Sequence, residues 1–256
     1  STDNIFEEAF PILFYLISNS SPEANITLIH SLSILSLHSY VGVLSHYQTI
    51  ITLMQNLLSN ESEGIEFMKN DAIECINSLM RVSPDHFRPG LESFLPLILN
   101  LLHSKYYCLI AASINCIGNI VDLYPEDVKS LAPQLLDEMA NYALNDSLPI
   151  LQEITELFKQ GYSVDEVNEE YGENTVDKDS LEISGGAFMV YASILAKFPE
   201  LLPQNFERAV KIIQVLSVSI FSTHAVCFGV EIMMPAVKQI GFNVPELMVS
   251  ILTNLR

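Results

Sequence analysis

Asn56, Asn100 and Asn141 recur along the chain at nearly equal separations, and each amide offers both a donor and an acceptor. Stacked in a column, such amides could hydrogen-bond the backbone of an extended peptide. One turn before them come Thr52, Pro96 and Asp137, and another turn back Thr49, Ser93 and Gln134. At helical spacing these residues form a polar stripe opposite a Leu/Ile face. The competing explanation is plainer: asparagine suits the polar last turn of a helix. A second concentration of reactive groups is acidic. The stretch KQGYSVDEVNEEYGENTVDKDSLEIS from Lys159 carries Asp165, Glu166, Glu169, Glu170, Glu173, Asp177, Asp179 and Glu182 against Lys159 and Lys178. Fixed like charges repel, so 162–177 is expected to be extended and mobile. Several weak charge pairs acting together would hold a basic surface there; the competing explanation is a solvated insertion.

Other groups point to no reaction. His30, His38 and His46 are spaced by two helical turns, but a turn near Tyr40 to Gly42 breaks their line and no carboxylate or cysteine joins them in sequence. No metal site is expected. His224 and Cys227 share a turn without an acid to orient the imidazole, and Gly185-Gly186 follows no strand that would make it a phosphate cradle. There is no nucleophile elbow, phosphate-binding loop or zinc-protease motif. The expectation is a binding protein with no enzymatic activity and no cofactor. Cys75, Cys108, Cys116 and Cys227 fall in apolar helical patterns with no CxxC pair, which predicts buried, reduced thiols.

The balance of charge narrows the partners. Net charge is −19, from 31 acidic and 12 basic residues. That repels phosphate backbones and argues against nucleic acid. It favours basic protein partners through long-range attraction. Hydrophobic residues make up 49%, yet no apolar run approaches the roughly 20 residues that a bilayer span needs. No membrane association is expected. The N-terminus has no basic signal region and no initiator Met, which suggests a piece of something longer.

The elements that would position these groups are helices in recurring pairs. QTIITLMQNLLSN, ESFLPLILNLLHS and APQLLDEMANYALND repeat one pattern, with Leu57-Leu58 and Leu101-Leu102 lying 44 apart and Ala143-Leu144 following 42 later. The turn signals SPDHFRPG and YPEDVKS are 41 apart. The third, FPELLPQ, comes about 75 further on, one period plus an insertion of roughly 33 residues. A period near 42 with two helices per unit is the HEAT signature, in which neighbouring pairs must stack to bury their apolar faces. First helices are expected near 22–38, 63–82, 104–123, 178–198 and 222–240, and their partners near 41–59, 88–103, 126–145, 203–220 and 243–255. A lone helix is expected at 4–18. A short helix, LPILQEITELFKQ, precedes the insertion and should stop at Gly161. The expected fold is therefore all-α, a right-handed HEAT-repeat superhelical solenoid. Residues 1–160 would hold a half repeat, three pairs and the short helix, 161–177 the acidic loop, and 178–256 two further pairs.

NDAIECINSLM at Asn70, followed by DHFRPGLESFLPLILNLL, resembles the middle of karyopherin-beta (importin-beta) nuclear transport receptors, the importin beta-3 branch in particular. TVDKDSLEISGGAFMVYASILAKFPELL, with its Tyr191-Ala192 pair, is similar to the segment after that branch's acidic insertion. The order of features matches over nearly the whole chain. Gly185-Gly186 and an amide-rich second-helix stripe depart from the family's charged flavour. The resemblance implies a monomeric central segment of a receptor shuttling between cytoplasm and nucleus. It implies binding of basic cargo through nuclear localisation signals, of the GTPase Ran in its GTP form, and of nucleoporins. The peptide would lie along Asn56, Asn100, Asn141, Asp137, Gln134 and Ser93. Ran or another basic partner would meet Asp165, Glu166, Glu169, Glu170, Glu173, Asp177 and Asp179. A HEAT scaffold of the phosphatase or assembly-factor kind stands as the alternative.

Overall fold

The computed structural model describes residues 2–62, 64–144, 175–217 and 220–241, with 153, 156–157, 159–163 and 166 between them. Regular structure among these residues is entirely helical, with no strand. They fall into two compact units, Ser1–Leu123 and Tyr124–Arg256.

In the first unit, α1 (Thr2–Asn19) is followed by α2 (Pro22–His38), α3 (Tyr40–Ser59), α4 (Glu66–Val82), the single turn α5 (Pro84–Phe87), α6 (Leu91–Leu101) and α7 (Tyr107–Leu123). α2 packs on α4 and α4 on α7, while α1 packs on α3 and α3 on α6. First helices thus pack on first helices and second helices on second helices, in two layers. The second unit contains the single turn α8 (Pro125–Val128), α9 (Ala132–Leu144), α10 (Thr175–Lys197), α11 (Leu202–Leu216) and α12 (Ile220–Gln239). There α10 packs against α9 and α12, and α11 packs against both as well.

Proline explains the recurring corner. A residue before proline is disfavoured in the helical region, and proline fits best in a helix's first turn, although Pro11, Pro96 and Pro235 lie inside helices here. Ser83, Tyr124 and Phe198 accordingly leave the helix with φ of −147°, −131° and −124°, and Pro84, Pro125 and Pro199 each start the next element. The second helices are not continuous from 88 and from 126 as expected. Each corner runs through a 3₁₀ turn, Arg88–Gly90, Lys129–Leu131 or Pro199–Leu201, before the main helix begins. The helix expected at 243–255 and most of the one before the insertion lie outside the described residues. Gly161 does close the latter: its φ is +94°, a conformation open to glycine, and the Tyr162 N–H reaches back to the Leu157 carbonyl at 3.1 Å.

Apolar spacing fixes which faces meet. Ile29, Ile65 and Met68 are buried together, with Ile17, Ile26, Leu53 and Leu57 packed around them from α1, α2 and α3. Phe87 at the corner stacks on Phe94 of α6 with ring centroids 5.4 Å apart. Two helix contacts depend on the absence of a side chain. Gly42 lies against the ring of Phe10, and Gly229 against the ring of Phe188, both rings fully buried.

The cysteines divide, contrary to the expectation that all four are buried. Cys75 and Cys116 are buried, but Cys108 and Cys227 are exposed. Apolar neighbours in sequence do not say which side of a helix a residue takes. Burial pushes the Cys75 thiol up to about 12, slightly offset by a hydrogen bond with Ser36, and burial also raises Cys116. A water-soluble disulfide reagent at neutral pH should therefore label two thiols in the folded chain and all four only after unfolding. Fast labelling of four in the folded chain would contradict this packing.

Candidate functional site

The predicted stripe is on the surface. Asn56 and Asn100 are exposed on the packed neighbours α3 and α6, as are Thr49, Thr52, Ser93 and Pro96. Part of its hydrogen-bonding capacity is already used. Gln55 Nε2 donates to Ser93 Oγ at 2.8 Å, and Ser93 Oγ donates to the Gly90 carbonyl at 2.8 Å. Thr52 Oγ1 donates to the Gln48 carbonyl of its own helix. Asn141, Asp137 and Gln134 are exposed on α9 in the second unit, so the proposed column divides between units. Arg208 of α11 reaches them there, donating Nη1 to Asp137 Oδ1 and Nη2 to Asn141 Oδ1, the latter at 3.4 Å.

Nothing in the local sequence points to Arg208 or Gln55. Arg208 converts the α9 stripe from an acidic patch into a mostly neutral one. The Asp137 side chain is 70% exposed and that of Arg208 33%, so the pair contributes only about 0–1 kcal/mol to stability. Arg208→Ala should leave the unfolding midpoint nearly unchanged and tighten a lysine-rich peptide, most visibly at low salt. A weaker peptide complex measured by fluorescence anisotropy would show that Arg208 is itself a contact.

Asparagines do meet between neighbouring first helices, a contact not anticipated from the sequence. Asn119 Nδ2 of α7 donates to Asn77 Oδ1 of α4 at 3.1 Å, and Arg81 Nη2 donates to Asn119 Oδ1 at 3.2 Å. Asn77 is buried and its amide nitrogen has no partner. His30 also gains a neighbour that sequence spacing hides: its Nδ1 lies 3.0 Å from Asp71 Oδ1 on α4. His46 instead stacks on Phe10 and meets Phe14 edge-on, with centroids 5.6 and 5.7 Å away. The His224 ring meets Phe228 at 4.7 Å. Among the described residues no three His, Cys, Asp or Glu side chains gather as metal ligands. Nor is any single helix among them long and apolar enough to cross a membrane.

Of the acidic residues, Asp165, Glu169, Glu170 and Glu173 lie outside the described residues. Asp177 and Asp179 lie within α10, which begins at Thr175 rather than 178. Acidic residues suit the positive end of a helix, so a run of them does not by itself mark a loop. Glu166 is helical too, where an extended chain was expected. Ser163 and Glu166 make a capping box: the Ser163 N–H and Oγ each donate to Glu166 Oε2 at 2.8 Å, and the Glu166 N–H donates to Ser163 Oγ at 3.3 Å. The Ser163 N–H and then its hydroxyl hold the Glu166 carboxyl below the usual carboxylate range. Among the described residues of the segment, Tyr162 and Ser163 are not helical, whereas Glu166 and the residues from Thr175 onward are.

No family model matches this sequence, and no curated protein matches it either.

Proposed function

We propose that the chain is a HEAT-type array from a karyopherin-beta import receptor, binding basic protein partners. One observation carries the array: polar contacts between packed helices recur one repeat apart. They join His30 to Asp71 across 41 residues, Tyr47 to the His86 carbonyl across 39, Gln55 to Ser93 across 38 and Asn77 to Asn119 across 42. In the second unit the contacts from α9 to α11 span 67 and 71 residues, one period plus the acidic insertion. Stacked pairs of one length produce this register. The partner class follows from charge, since a chain of net −19 draws basic surfaces and repels phosphate backbones.

Within this reading, the exposed amides of Asn56, Asn100 and Asn141 bond a peptide backbone, and the acidic segment adds long-range attraction. Replacing all three asparagines by alanine should weaken a lysine-rich localisation peptide by about 0.5–1.5 kcal/mol per lost bond, with little change in folding. Unchanged affinity would reduce the column to a helix-end preference. Retention of the full-length protein on immobilised GTP-loaded Ran, and not on the GDP form, is the expected mark of an import receptor. Retention on neither, beside capture of some other folded partner, would favour a different HEAT scaffold.

A further inference from the structure

A cavity of about 380 Å³ opens in the first unit where the turn after α3 meets the turn between α6 and α7. That volume suits a small ligand or a single side chain of a larger one. Its lining runs against the composition of the chain. Lys69, His103 and Lys105 converge there, in a sequence with 12 lysines and arginines against 31 acids. Ser62 and Ser104 add hydroxyls, and the apolar part of the wall is Ile65, Leu101 and Leu109, all buried.

Two carboxylates share the space. Glu61 is exposed. Glu66 is matched from within: its own backbone N–H and the Tyr106 side chain, then the Gly64 N–H at 3.3 Å and Lys105, keep it ionised below the usual range. Lys105 Nζ in turn sits 5.1 Å over the Tyr106 ring. Glu66, Tyr106 and Lys105 therefore form one braced wall, and Lys69 and His103 remain to meet an outside ligand. α4 and α7, each 17 residues long, both begin at the cavity, so two positive helix ends add to the same field.

We propose that this cavity binds an oxyanion, a carboxylate or phosphate group, with Lys69 as its charge partner, His103 as a ring N–H donor and Ser62 and Ser104 as hydroxyl donors. The site would be opposite in sign to the acidic segment, and it stands on the first unit's geometry whether or not the import reading holds. Asn100 lines it too, so a peptide on the α3 and α6 stripe could place an acidic side chain here.

Three probes test it on the 256-residue chain, followed by backbone amide NMR shifts: N-acetyl-phosphoserine amide, N-acetyl-glutamate amide and inorganic phosphate. The expected result is saturable shifts confined to 61–69 and 100–109. Combining Lys69→Gln with His103→Gln should weaken that binding at least about tenfold, because a charge-assisted bond and a ring N–H donor are lost, with an unchanged circular dichroism spectrum. Saturation by the phosphoserine probe alone assigns a phosphorylated ligand, by both amino-acid probes a general oxyanion site, and by inorganic phosphate alone a site for the free ion. Shifts scattered over the surface without saturation, or a titration the double variant leaves intact, would overturn the proposal.

Discussion

Replacing Gly229 by alanine should destabilise the second unit, although the same change inside most helices does the opposite. Alanine is the better helix former by about 1 kcal/mol, and Gly229 is interior to α12. Space decides against it. A Cβ at this position would run into Cε1 and Cδ1 of Phe188, the latter at 2.8 Å. Phe188 is fully buried in α10 and its ring is rigid, so relief requires moving the ring or separating two closely packed helices. Overpacking of this kind costs about 1–3 kcal/mol, enough to outweigh the gain in propensity. Gly42→Ala should behave alike in the first unit, where the new methyl would meet Phe10 Cδ2 at 2.8 Å and Ser39 Oγ at 2.7 Å. Gly90 is the control: its nearest ring carbons, of Phe94, lie at 3.8 Å, an ordinary contact. Urea unfolding should show a lower midpoint for G229A and G42A and a nearly unchanged one for G90A. Pairing Gly229→Ala with Phe188→Leu should recover part of the loss, a coupling that a double-mutant cycle reads directly. A raised midpoint for G229A would mean that α10 and α12 are not so closely apposed.

Periodicity is the part of this structure that can be read in advance. The first helices at 22–38 and 104–123 need only apolar residues at helical spacing and a turn signal at each end, and the observed Pro22–His38 and Tyr107–Leu123 differ little from them. The corners are visible as Ser83-Pro84, Tyr124-Pro125 and Phe198-Pro199. Their 3₁₀ turns are not, because φ and ψ beyond the proline depend on how the next helix must dock. Side-chain partners are least legible. His30 finds Asp71 across 41 residues, and Arg208 finds Asp137 across 71. No local pattern encodes such pairs; only the period does. Looking one repeat ahead of each polar residue leads to Gln55–Ser93 and Asn77–Asn119. Arg208 requires the length of the insertion as well. The acidic segment misleads for a different reason: charge density suggests a loop, whereas at Glu166 a capping serine accommodates the carboxylate and at Asp177 the backbone is already helical.

Neutralising the acidic segment should then act on encounter rather than on stability. Eight carboxylates stand against Lys178 alone between 161 and 182. Their field falls off over a Debye length of roughly 8 Å at physiological salt, so it reaches only a partner already close by. Exposed pairs each give about 0–1 kcal/mol, so one substitution should be nearly silent and five together should not. Changing Asp165 to Asn and Glu166, Glu169, Glu170 and Glu173 to Gln is therefore expected to slow association with a lysine-rich peptide by about tenfold at low salt, the lower end of electrostatic steering. Dissociation should change less, because dispersed charge acts mainly on the approach. The salt dependence of the rate should flatten in parallel. Gln at 166 keeps an amide able to answer the Ser163 N–H, so the capping box is weakened rather than removed. The unfolding midpoint should accordingly stay close to that of the parent chain. Stopped-flow association at two salt concentrations separates the possibilities: an unchanged rate at low salt, with the peptide still bound, would make the segment a solvated insertion and move the attraction to the helical faces.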